Sequence, residues 1–137
     1  MVHPNIAGLA WAAGILDGEG CFTISFRKNS GVHQMLLKVV CMDSRMCEKL
    51  YELFAGSHWV DGQGRPSWQV TGKKAASVIK QVYPFLVCKK DQADICLQFA
   101  DTIRAPGKRT KEGLYPQREP LRQALMKLHW AHREEVL

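Results

Sequence analysis

Hydrophobic and polar positions along this chain switch between two periods, and each switch marks an element. From residue 6 to residue 17, Ile6, Leu9, Ala10, Ala13, Ile15 and Leu16 recur as in a helix, interrupted only by two glycines. Gly18 and Gly20 are expected to end it. Residues 21–28 then alternate as a strand, with Phe22, Ile24 and Phe26 on one face and Cys21, Thr23, Ser25 and Arg27 on the other. Asn29-Ser30-Gly31 signals a turn, and residues 33–42 read as the partner strand with Leu37 and Val39 inside. Asp43 or Ser44 can cap a second helix, whose apolar face is Met46, Leu50, Leu53 and Phe54. A second hairpin follows, with strands near 57–61 and 66–71 joined by Asp61-Gly62-Gln63-Gly64. A helix at 73–83 places Ala76, Ile79, Val82 and Tyr83 on one face, and Pro84 punctuates it. A fourth helix, 90–103, buries Ile95, Phe99 and Ile103. Residues 105–117, rich in Pro, Gly and Lys, are expected to form a loop, and a last helix starting near Pro120 presents Leu121, Leu125 and Leu128.

The core order is therefore α-β-β-α-β-β-α, an α+β fold. Two hairpins form one four-stranded antiparallel sheet with helices on its apolar face. The 137 residues suit one domain, with its core at about 6–103 and a basic loop and C-terminal helix at 104–137. Trp59, Trp68 and Phe22 are expected in the core. The other sheet face collects Thr23, Ser25, Arg27, Gln34, Lys38, Ser67, Gln69 and Thr71. Long polar side chains on an open sheet can read base edges in a major groove. A merely solvated face would look the same, so both readings stay open here.

Charge sharpens the picture. The net charge is +6, and residues 104–133 alone carry eight Lys or Arg against two Glu. A basic segment on an otherwise balanced domain suits phosphate contact. No apolar run is long enough to span a membrane, so no membrane partner is expected. The cysteine count is odd, and no pair of the five has C-x-x-C spacing. Free thiols in a reducing intracellular compartment are the expectation.

The first helix is unusual in two ways. Gly14 and Gly18 are four residues apart among other small residues, so one face admits a second backbone closely. Asp17 and Glu19 stand at the helix C-terminus, where the dipole favours cations, and a divalent metal would compensate them. The plain alternative is helix packing within the domain, with Asp17 capping local backbone and Glu19 exposed.

Ala12-Ala13-Gly14-Ile15-Leu16-Asp17-Gly18-Glu19-Gly20 resembles the LAGLIDADG motif of homing endonucleases and related intron maturases. The Gly at the third place, the Asp at the sixth, the acid at the eighth and the closing Gly all match; Ala12 stands where the family usually has Leu, and Glu19 where the eponymous motif has Asp. The resemblance covers most of residues 6–103. It implies a homodimer, since there is one motif, with Ala10, Ala13, Gly14, Asp17 and Gly18 at the interface. It implies a site-specific double-strand DNA endonuclease acting on a long pseudo-palindromic target. Glu19 and the Gly18 carbonyl would hold Mg²⁺, a site that Mn²⁺ or Ca²⁺ can also occupy. Asp17 would cap the helix end and support the active-site turn. Pro84 to Ala93 resembles the segment where homodimeric members place a catalytic-site Lys. Lys89 is the candidate, Lys90 the fallback, and Gln92 orders the turn. Asp43 falls where the family often has a water-organising Gln, but a plain N-cap explains it equally well.

For readout, Arg27 or Lys28 suits guanine, Gln34 and Gln69 suit adenine, and Asn29 and Arg65 stand near the hairpin tips. Lys90, Arg104, Lys108, Arg109 and Lys111 are expected at phosphates. Double-stranded DNA and a second copy are the expected partners, with no small-molecule substrate. Two other readings stay open: an intron-RNA maturase or non-cleaving DNA-binding regulator, and a small dimeric structural domain.

Overall fold

A computed structural model of the chain describes residues 4–103 and 111–136, without the side chains of 111–113 and 132–136. Helix α1 (Ile6–Glu19) leads directly into strand β1 (Gly20–Arg27), which pairs antiparallel with β2 (Val32–Val40). After α2 (Ser44–Phe54) come β3 (Ser57–Val60) and β4 (Pro66–Thr71), then α3 (Gly72–Val82), a 3-10 turn (Tyr83–Phe85) and α4 (Lys90–Ala100). The last helix, α5, spans Lys111–Val136. The four strands form one antiparallel sheet in the order β1-β2-β4-β3. This is the α+β architecture that the periodicity predicts.

Alternation decides what each sheet face does. Phe22, Ile24, Met35, Leu37, Val39, Trp68 and Val70 point to one side and are buried. Against them pack Leu50 and Phe54 of α2, Ile79 and Val82 of α3, and Phe99 of α4. Among the described residues, no helix covers the opposite face. In register across it lie Ser25 with Gln34, Thr23 with Leu36 and Thr71, and Cys21 with Lys38 and Gln69.

Three expectations change. Helix α1 runs through Gly18 to Glu19, and Gly20 is its cap. Helix α5 begins at Lys111, so the part of the expected loop from 111 to 117 is helical, across Pro116. Buried contacts outweigh proline's missing N–H there: Leu114 is buried and the Tyr115 ring meets Phe26 edge-on at 5.3 Å. Trp68 is buried, with its indole N–H donating to the Ala55 carbonyl at 2.7 Å, but Trp59 is 37% exposed. Trp59 pairs with Ser67 and so lies on the open face, where the Lys38 ammonium sits 5.5 Å from its ring.

Candidate functional site

The site begins with the capping of α1. Asn5 accepts a hydrogen bond from the Gly8 N–H at 2.8 Å, which fixes the start of the helix. At the other end the Gly20 N–H bonds to the Leu16 carbonyl. An added Cβ at Gly20 would come within 2.6 Å of that carbonyl oxygen, so only glycine fits this sharp entry into β1. Ala12, Ala13 and Leu16 are buried in the chain's own core, while Ile6, Ala10, Gly14 and Gly18 are exposed. Of the expected interface residues, Ala13 is therefore already taken up inside the single chain. Nothing lies within 4 Å of a Cβ built at Gly14 or Gly18.

Asp17 is spent inside the chain as well. Its carboxylate accepts three consecutive backbone N–H groups, from Val87 (2.8 Å), Cys88 (3.0 Å) and Lys89 (3.1 Å). It therefore clamps the turn before α4 rather than capping its own helix. That turn carries Lys89, whose ammonium donates to the Leu16 carbonyl at 3.2 Å and the Gly20 carbonyl at 2.5 Å. The Lys89 amine thus sits at the negative end of α1. Half-burial lowers its pKa, opposed by the charges of Cys21, Asp17, Glu19 and Cys88. Between the two carbonyls in sequence lies Glu19, exposed, with no hydrogen bond or ion pair among the described residues. Gln92 is buried in the first turn of α4, its N–H donating to Asp91. Lys90 lies over the Tyr83 ring at 5.5 Å.

Asp43 is the N-cap of α2. One carboxylate oxygen accepts the Arg45 N–H at 2.9 Å, and the Arg45 guanidinium closes on the other at 2.6 Å. The Arg45 contacts hold its pKa down at about 2. In the single chain its carboxylate is engaged by this cap and by Arg45.

The open sheet face extends β1 away from Glu19. Thr23, Ser25, Arg27, Gln34, Lys38, Gln69 and Thr71 are exposed or partly exposed on it. Ser67 shares the face by register but is fully buried, its hydroxyl donating to the Arg65 carbonyl at 3.4 Å, so it presents nothing to a ligand. Arg65 is paired with Asp61 across the second turn at 2.9 Å. Lys28 and Asn29 are exposed in the first turn. Arg104, Lys108 and Arg109 lie outside the described residues, and Lys111 opens α5 with its side chain outside the description. Among the described residues, no group of three or more Asp, Glu, His or Cys is placed to hold a metal ion. The five cysteines are free, with Cys21 and Cys88 exposed. No described helix is long and apolar enough to cross a membrane.

Sequence reasoning left one feature incomplete and missed two. The resemblance has Asp17 support the active-site turn, but the N–H groups it takes lie 70 to 72 positions away, which no local pattern encodes. Val87, beside that clamp, is 81% exposed. Buried Arg118 ties α5 to the core, donating to the Thr102 hydroxyl at 2.8 Å and lying 4.7 Å from the Phe99 ring.

Neither a scan against protein-family models nor a search of curated proteins finds a match. Solved structures do match. The homing endonuclease I-CvuI, bound to its target, superposes with a TM-score of 0.72 at 18% identity, covering 88% of this chain and 85% of that one. The archaeal intron-encoded homing endonuclease I-Vdi141I, complexed with DNA, gives 0.72 at 17% identity, covering 87% and 82%. The LAGLIDADG homing endonuclease I-GzeII gives 0.70 at 16% identity, with 89% of this chain matched to only 45% of that one. With its four-stranded antiparallel sheet and helices superposing on these structures, the chain has the LAGLIDADG homing-endonuclease fold.

Proposed function

We propose that this chain is one half of a homodimeric, site-specific DNA endonuclease that hydrolyses phosphodiester bonds with a divalent metal. The observation that carries this reading is the exposed, unengaged Glu19 at the end of an exposed glycine face. A helix that is apolar nearly all round normally buries every side. This one leaves Ile6, Ala10, Gly14 and Gly18 uncovered, and a second copy of the same face would cover them. The half-length match to I-GzeII is consistent with two such units making one enzyme.

Glu19 and the Gly18 carbonyl, in the last turn of α1, are oxygen donors of the kind Mg²⁺ takes. Among the described residues one chain brings too few ligands together for a complete shell, and DNA phosphates, water and the second Glu19 would supply the rest. A bound metal would activate water and offset charge on the phosphate. I-CvuI complexes were obtained with calcium and with magnesium. Asp17 acts as a positioning residue by clamping residues 87–89. Lys89 brings a positive charge to the helix end, where it can stabilise charge that develops on a phosphate. Thr23, Ser25, Arg27, Gln34, Lys38, Gln69 and Thr71 would face the major groove, and two-fold symmetry would make the target pseudo-palindromic.

The test is cleavage of a randomised duplex library by wild type and Glu19→Gln, with Mg²⁺ and with chelator. Wild type should enrich one pseudo-palindromic site only with metal. Glu19→Gln should bind that site and leave it intact. Binding without cleavage by wild type would instead indicate a regulator, and preference for intron RNA a maturase.

A further inference from the structure

Two of the buried thiols face each other. Cys41 stands just past the end of β2 and Cys47 in the first turn of α2, and both are buried. Their sulfurs lie 2.9 Å apart. Among the described residues this is the one thiol–thiol hydrogen bond; exposed Cys21 meets the Thr23 hydroxyl instead, at 3.2 Å. The Cys41 thiol also reaches the Asp43 carbonyl at 3.5 Å. A covalent S–S bond of about 2.0 Å asks the two sulfurs to approach by about 0.9 Å. The segment that joins them passes through Met42, which is 95% exposed, so a small backbone adjustment at that residue disturbs no core contact.

We infer that Cys41 and Cys47 are a modification site, an oxidisable pair that closes to an intramolecular disulfide and ties the end of β2 to the start of α2. The inference is independent of the DNA reading above. With a peroxide as oxidant, one thiolate attacks a peroxide oxygen, the O–O bond breaks, hydroxide leaves and a sulfenic acid forms. The second thiolate attacks that sulfur, the S–S bond forms and another hydroxide leaves. The two hydroxides take up the two thiol protons, so two thiols and one peroxide give one disulfide and two waters. Burial slows the first step, because the thiolate is the nucleophile and the Cys47 thiol is pushed up to about 12 by burial and by its bond to Cys41. Helix ends fray, and opening of the first turn of α2 admits a small oxidant. The second step is then fast, since the partner sulfur is already in place. Cys96 supplies the contrast. Burial pushes its thiol up to about 12 as well, but it is hydrogen-bonded to no other thiol among the described residues.

The test uses the full chain with Cys21→Ser and Cys88→Ser, which removes the two exposed thiols and leaves three. The folded protein is treated with rising hydrogen peroxide, alkylated after denaturation and digested with trypsin for mass spectrometry. Cleavage after Arg45 separates the two cysteines, so the disulfide links peptide 39–45 to peptide 46–49. The linked peptides should appear before Cys96 is oxidised, and dithiothreitol should return both to the alkylated form. The oxidised chain should also unfold at a higher denaturant concentration than the reduced one, because the cross-link restricts the unfolded chain. Adding Cys47→Ser should abolish both the link and the gain. Oxidation of Cys96 ahead of the link, or of Cys41 and Cys47 to sulfinic acids without a link, overturns the inference. So does a link that lowers the denaturation midpoint, since the native fold would then have to open to hold it.

Discussion

On the inward side of α1, Ala12, Ala13 and Leu16 are closed in by the sheet and helices, and at the cap of the same helix Gly20 has no room for a methyl group. On the outward side, Gly14 and Gly18 have open space where a methyl group would go. The chain's own packing thus explains Gly20 but not Gly14 or Gly18. Each glycine inside a helix costs about 1 kcal/mol relative to alanine. A cost carried twice on one exposed face, with no return inside the chain, points to a contact outside it.

Substitutions can break that contrast. Gly14→Leu should have the largest effect, weakening self-association by about 100-fold or more, equivalent to about 2.8 kcal/mol. The monomer's own stability should not fall, and removing the helical glycine should raise it by up to about 1 kcal/mol. Sedimentation at several concentrations reads the first and denaturant unfolding the second; an intact dimer would mean that the outward face is not the interface. Gly20→Ala should do the reverse, destabilising the fold by about 1–3 kcal/mol through overpacking against Leu16. An unchanged denaturation midpoint would show that the α1–β1 junction relaxes freely. A gentler version of the first test is Gly18→Ala, which should add up to about 1 kcal/mol to a dilute, monomeric sample while weakening the dimer. Any loss of monomer stability would mean that Gly18 serves the chain's own fold.

The smallest effect lies away from α1 and serves as a control. Contacts with Arg122, His33 and Gln123 hold Glu119 at a pKa of about 2, down from its ordinary 4.5. A carboxylate depressed in the folded state stabilises above its unfolded pKa and loses that contribution as pH falls through the folded value. The stability gap between wild type and Glu119→Gln should therefore be full above pH 4.5 and shrink towards pH 2. Thermal melts across that range would read it, and a gap independent of pH would show that the ionised carboxylate adds nothing.

The periodic elements were legible because each has one face committed to the core. Phe22, Ile24, Leu37 and Val70 alternate in sequence as they do in the sheet. The first turns of α5 were not legible, because Pro116 and the Pro, Gly and Lys residues before it argue locally for a loop while Tyr115 and Arg118 are held by partners on β1, β2 and α4. Trp59 misled for a related reason: alternation places it on a face, but nothing in the sequence says that the face is uncovered. At the candidate site, Glu19 and Lys89 could be singled out from the motif and the segment after Pro84. The bonds that tie Lys89 to the Leu16 and Gly20 carbonyls and the Asp17 carboxylate needed three dimensions. Asp43 fitted two roles in sequence, and the Arg45 contacts account for the cap alone.

The Asp17 clamp also bears on the order in which the molecule assembles. Its three bonds close a loop of about 70 residues, so they form only after both hairpins and α3 have brought the turn before α4 back to α1. Long loops of this kind delay contact formation, because chain entropy is lost before any bond is gained. Helix α1 makes its hydrogen bonds locally, but Lys89 joins it only when nearly the whole chain is in place. In the proposed reaction, a partly folded chain would hold the acid without its lysine.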